Sequence, residues 1–124
     1  KKRMLLMWLY TKLGFFSIVH KPPCRKDELL VRTRCREDLK ALSKKLSETS
    51  DFKGAIIESP DADYAYRMVV PRSILAPFMA SLMNLDYANF KATIPYNDGP
   101  RHEAYFKCWK VMDEWQGKMR KPID

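Results

Sequence analysis

Apolar and polar positions divide the chain into short alternating runs, followed by longer runs with helical spacing. Met7–Thr11 is aromatic and β-prone, Lys12-Leu13-Gly14 is a turn signal, and Phe15–His20 is again strand-like, which together predict a β-hairpin. Pro22-Pro23 ends that hairpin, and Cys24–Asp27 is a polar loop. Leu29–Arg34 alternates, with Leu29, Val31 and Thr33 on one side and Leu30, Arg32 and Arg34 on the other, and so predicts a third strand. A helix is expected over Arg36–Leu46. Leu39, Leu42 and Leu46 share one face of it, Glu37 and Asp38 occupy its first turn, and Lys44 and Lys45 its last.

Beyond the polar loop Ser47–Gly54, Ala55–Glu58 and Tyr64–Val70 flank a Pro60–Asp63 turn and predict a second hairpin. Pro71 suits the first position of a helix reaching about Asn84, in which Pro77 removes one backbone hydrogen bond and imposes a bend. Asp86 caps an expected short helix over Tyr87–Thr93, and Pro95–Pro100 is rich in turn formers. The final helix, from Pro100 or Arg101 to Gln116, carries Tyr105, Cys108, Trp109, Met112 and Trp115 in a stripe. Such a stripe faces a core or, alternatively, a second copy of the chain. Gly117 is expected to end the helix, leaving residues 118–124 as a frayed basic tail.

The order β-β-β-α-β-β-α-α-α predicts an α+β fold, an antiparallel sheet of about five strands with helices packed on one face. Its middle has the element order of a ferredoxin-like split βαβ. A length of 124 residues fits a single domain and suffices for a core without a disulfide or metal staple. Three cysteines in no short spacing (Cys24, Cys35, Cys108) fit a reducing, cytoplasmic setting. Lys1-Lys2-Arg3 before a short apolar run imitates a targeting signal, but no cleavage site follows and the run is too short to span a bilayer, so no membrane partner is expected. Residues 1–6 are read as a tag or a disordered start, with Met4 or Met7 as the natural beginning.

Charge sharpens this outline. The formal net charge is +8, with +9 over Lys1–Leu46 and −1 over the remainder. Without Lys1–Arg3, Met4–Leu46 still carries +6, much of it in the alternating run Arg32, Arg34, Arg36. A field of one sign favours anionic partners, here nucleic acid or an acidic protein. If Leu29, Val31 and Thr33 face the core, Arg32 and Arg34 face away, continued by Arg36. Tyr64, Tyr66 and Met68 as the core set of the next hairpin leave Arg67 on the same open side. Trp8, Tyr10 and Phe16 supply rings, and Lys12, Lys21 and Lys40 supply supporting cations. Guanidinium groups hold phosphates and rings stack on bases, which is the pattern of single-stranded nucleic-acid platforms.

The expected function is therefore that of a small, non-enzymatic basic module engaging an anionic partner such as nucleic acid. Two readings compete: a protein-interaction adaptor or inhibitor, homodimeric through the last helix, and an enzyme on a small anionic substrate with His20 or His102 as acid or base. The plain alternative is a solvated sheet face. Interleaving of Glu58 and the turn aspartates with the arginines favours that alternative, and a carboxylate-free face favours binding. No catalytic set is spelled out. The four glycines are scattered, so no phosphate-cradling loop exists, and the two histidines lack metal-ligand spacing. Asp61 and Asp63 suit a turn, and a Cys24–His20 nucleophile pair depends on the fold to bring it together. No cofactor or metal is expected.

The string Trp8-Leu9-Tyr10-Thr11-Lys12-Leu13-Gly14-Phe15-Phe16-Ser17-Ile18-Val19 resembles the opening of an uncharacterised family of small bacterial proteins. Asp86–Lys91 and Tyr105–Trp109 are similar to it as well, so the likeness spans most of the chain from about Met7. The resemblance implies no activity, cofactor or site residue.

Overall fold

The computed structural model describes residues 6–85 and 99–120. Five strands form one antiparallel sheet: β1 (Leu6–Tyr10), β2 (Phe15–Val19), β3 (Glu28–Thr33), β4 (Ile57–Glu58) and β5 (Tyr66–Pro71), in the order β1-β2-β3-β5-β4. Helix α1 (Arg36–Thr49) follows β3, α2 (Arg72–Ser81) follows β5, and α3 comprises Gly99–Met119. The α+β class and the five-stranded antiparallel sheet expected from the alternating runs are both present. Because β3 and β4 each run antiparallel to β5, they are parallel to one another, with α1 connecting them and β5 inserted between. This is a split βαβ arrangement, and β2 occupies the other side of β3.

Internal contacts divide the chain into two compact units, Lys1–Leu85 with the sheet, α1 and α2, and Asp86–Asp124 with α3. In the first unit the register sets Ile18, Val31 and Met68 in one row across β2, β3 and β5. Leu39, Leu42 and Leu46 of α1 and Leu75 of α2 close over this row, and Phe16 and Val70 complete the cluster. Removing side chains of this size from water contributes roughly 1.5–3 kcal/mol each, which is why α1 and α2 lie on this face.

Element ends depart from the sequence pattern for local reasons. Helix α1 runs to Thr49, three residues past Leu46, and Ser50 then turns extended. The Ser50 hydroxyl donates to the Leu46 carbonyl at 2.7 Å, satisfying one of the acceptors a helix end leaves over. Lys44 and Lys45 consequently fall short of the last turn. Pro71 is the N-cap of α2 rather than its first residue, and the helix stops at Ser81 with Pro77 inside it. Helix α3 begins at Gly99 and passes through Gly117 to Met119, so Gly117 does not end it and Lys118 belongs to the helix rather than to a tail. An interior glycine costs only about 1 kcal/mol relative to alanine, too little to halt a helix by itself. The helix expected over Tyr87–Thr93 lies outside the described residues.

The stripe of α3 departs further. Of its residues Trp109, Met112 and Trp115 are 62%, 56% and 53% exposed, Tyr105 and Cys108 are half-buried, and no residue of α3 is buried.

The β1–β2 turn is closed by reciprocal backbone bonds between Thr11 and Gly14, at 2.9 and 3.2 Å. Gly14 has φ +153° and lies against Asp38 of α1, where an added Cβ would overlap the carboxyl group. Asp38 is buried and accepts the Phe15 N–H at 3.0 Å, which pins the hairpin to the helix. Gly14→Ala is expected to lower unfolding free energy by about 2–3 kcal/mol in urea titrations, through backbone strain and the displaced carboxylate.

Candidate anion-binding face

The sheet face away from α1 and α2 is set out by the register. Trp8, Ser17, Arg32, Arg67 and Ile57 form one row across all five strands. Tyr10 and Phe15 begin the next row, and Arg34 lies just past the end of β3 on the same margin. Trp8 and Tyr10 are 55% and 45% exposed. The Phe15 ring is half-buried, 4.7 Å from Tyr10, 6.2 Å from Trp8 and 6.4 Å from Tyr64 between centroids. These four side chains make a continuous aromatic strip ending beside the arginines.

Arg32 is only 6% exposed. Its Nη2 donates to Ser17 Oγ at 2.7 Å, and its guanidinium carbon lies 4.5 Å from the Tyr64 ring centroid. Its Nε is buried without a hydrogen-bond partner, and none of the ion pairs among the described residues includes it. A guanidinium does not shed its proton in a protein, so this is a permanent buried charge. Burying such a charge costs several kcal/mol, of which the ring contact offsets about 2. Arg34 is exposed, lies 4.3 Å from the same ring and donates from Nη1 to the Asp63 carbonyl at 2.9 Å.

The other proposed contacts are distributed differently. Arg36 pairs with Glu58, and Arg67 Nη2 lies 3.8 Å from Asp63 Oδ1 while its Nε donates to the Tyr64 carbonyl at 3.3 Å. The four arginines therefore do not share a carboxylate-free surface, because β4 and the turn before β5 bring Glu58 and Asp63 alongside them, the interleaving that favours a plain solvated face for Arg36 and Arg67. Phe16 is not a stacking residue: it points to the other face and is 2% exposed in the core. Lys12 sits exposed in the β1–β2 turn, at the Arg34 end of the sheet. Lys21 lies beyond the Val19 end of β2, and Lys40 is on α1, across the sheet from the arginines.

Tyr64 is buried as the alternation predicts, but on the arginine side of the sheet. Alternation assigns it to the core set with Tyr66 and Met68, yet it covers Arg32 and is itself 4% exposed. Strand β5 begins only at Tyr66, so the two-residue period does not govern Tyr64. Proximity to the turn was the sole available signal.

The remaining chemistry is sparse. His20 and His102 are both exposed, and His20 Nε2 meets the Arg25 carbonyl at 3.0 Å. Burial pushes the Cys24 thiol above its ordinary value, which works against a thiolate nucleophile. Among the described residues no group of three or more His, Cys, Asp or Glu could hold a metal ion, and no helix is long and apolar enough to cross a membrane. In comparisons with known proteins the chain matches no family model, no curated protein and no solved structure.

An uncompensated buried charge contributes little to stability. Arg32→Met, which keeps an unbranched apolar stem and removes the guanidinium, is expected to leave unfolding free energy unchanged within about 1 kcal/mol or to raise it, measured by urea titration. A loss of 3 kcal/mol or more would show instead that Arg32 is structural.

Proposed function

We propose that this protein binds single-stranded nucleic acid on the sheet face away from α1 and α2. The observation that carries this reading is Arg32, a buried guanidinium with an unpartnered Nε and no ion pair among the described residues, in one sheet row with the exposed ring of Trp8. Arg34 and Lys12 line the same margin and suit the phosphates, while Trp8, Tyr10 and Phe15 suit the bases. Arg36 and Arg67 are left out, since each already meets a carboxylate. Lys21 and Lys40 are left out by position.

Affinity for a mixed single-stranded oligonucleotide is expected to fall with salt, with a log–log slope of about −2 for three phosphate contacts. Trp8→Ala removes a stacking ring, worth about 1–3 kcal/mol, so affinity drops roughly tenfold, whereas Lys40→Ala leaves it unchanged. Fluorescence anisotropy at low and moderate salt reads both. No binding at low salt, or equal affinity for the Trp8 variant, would overturn the reading.

A second reading is favoured by the exposed stripe Trp109, Met112, Trp115 and Met119 on α3. It makes the protein an interaction module that pairs with a second copy through this helix. Light scattering separates the two: a dimer that Met112→Glu dissociates supports pairing, and a monomer across the working concentrations rejects it.

A further inference from the structure

We propose that Arg32 and Arg34 form a site for a phosphate-class oxyanion and that the Tyr64 ring is its movable cover. The inference rests on reading this face as anion-binding and names the group that enters it.

The argument begins with the fork of Arg32. Ser17 on the neighbouring strand takes Nη2, fixing the guanidinium from one side. The Arg32 Nε carries a buried donor with no acceptor. A buried donor in this state forfeits a hydrogen bond, and here the donor is also charged. An oxyanion answers both deficits, since it accepts from a guanidinium edge and neutralises it.

Arg34 supplies the second cation. It donates to a backbone carbonyl, and no ion pair among the described residues includes it. Both guanidiniums rest within 4.5 Å of the centroid of one ring, so both border the space that Tyr64 occupies. Two like charges held against one neutral ring are a poor arrangement until an anion arrives between them.

Tyr64 is suited to moving. It lies outside β5, in the segment following the Pro60–Asp63 turn, and no strand bond of β5 holds it. Its backbone is held by Asp63 Oδ1 at 2.9 Å and by Arg67 Nε at its carbonyl, so the main chain stays in place while the ring rotates. Its ring contacts include the two guanidiniums and Phe15 at 6.4 Å. An anion that pairs with the guanidiniums weakens the very contacts that keep the ring down.

Phosphate as a free ion and phosphate as a diester in a strand present the same acceptors, and the test separates them. The whole protein is titrated with inorganic phosphate against chloride at matched ionic strength. NMR follows the arginine Nε–H resonance that disappears in Arg32→Met, and the thermal midpoint is recorded in parallel. The expected result is a saturable movement of the Arg32 signal and a midpoint that rises with phosphate. Arg32→Met abolishes the phosphate-specific rise, and Tyr64→Ala reaches half-saturation at several-fold lower phosphate. An unmoved Arg32 signal overturns the site, as does an undiminished rise in Arg32→Met. Weaker binding by Tyr64→Ala overturns the cover. The oligonucleotide arm keeps the two claims apart. Strand binding with no response to free phosphate removes a free-ion site, and if Arg32→Met also binds the strand undiminished, the oxyanion site fails while the nucleic-acid reading stands. A phosphate response without strand binding leaves the oxyanion site and removes the nucleic-acid reading.

Discussion

The register of β3 is the constraint on which the rest of the sheet depends. It is bonded on both sides, to β2 and to β5, and its residues alternate between two unlike environments. Val31 is fully buried beneath α1 and α2, while its neighbour Arg32 lies on the opposite face between Ser17 and Arg67. A slip of one residue would drive a guanidinium into the apolar cluster and turn Val31 outward. The apolar row Ile18, Val31, Met68 therefore fixes, at the same time, which residues form the row behind it.

That second row gives the arginines distinct roles. Arg36 and Arg67 are balanced by Glu58 and Asp63, and such partly exposed pairs contribute little to stability. Arg34 is exposed and borrows a backbone carbonyl. Among the described residues Arg32 alone combines burial with an unmet donor. The aromatic strip running from Trp8 to Tyr64 gives this charge a setting that a plain solvated face lacks.

Much of the first unit was legible because its signals are periodic. The alternation of Leu29–Arg34 identified the central strand and sorted its two faces correctly, and Leu39, Leu42 and Leu46 identified the packing side of α1. Legibility failed where period gives way to local geometry. Phe15 and Phe16 are adjacent and equally apolar, so only pairing across from Tyr10 shows that Phe15 lies with the rings and Phe16 in the core. Gly117 reads as a stop because glycine favours helix ends, yet the hydrogen-bond ladder of α3 carries through it.

What the sequence determined alone is the α+β class, the strand and helix order of the first unit and the excess of basic residues in its N-terminal part. These follow from side-chain period and composition, which are properties of neighbours along the chain. Tertiary structure decided which arginines keep an unanswered charge. Glu58 and Asp63 reach Arg36 and Arg67 only because β4 and the turn before β5 fold back along the sheet, and Tyr64 reaches Arg32 across more than thirty residues of chain. A charge is neutralised by whatever lies a few ångströms away in space, and sequence spacing does not encode that distance.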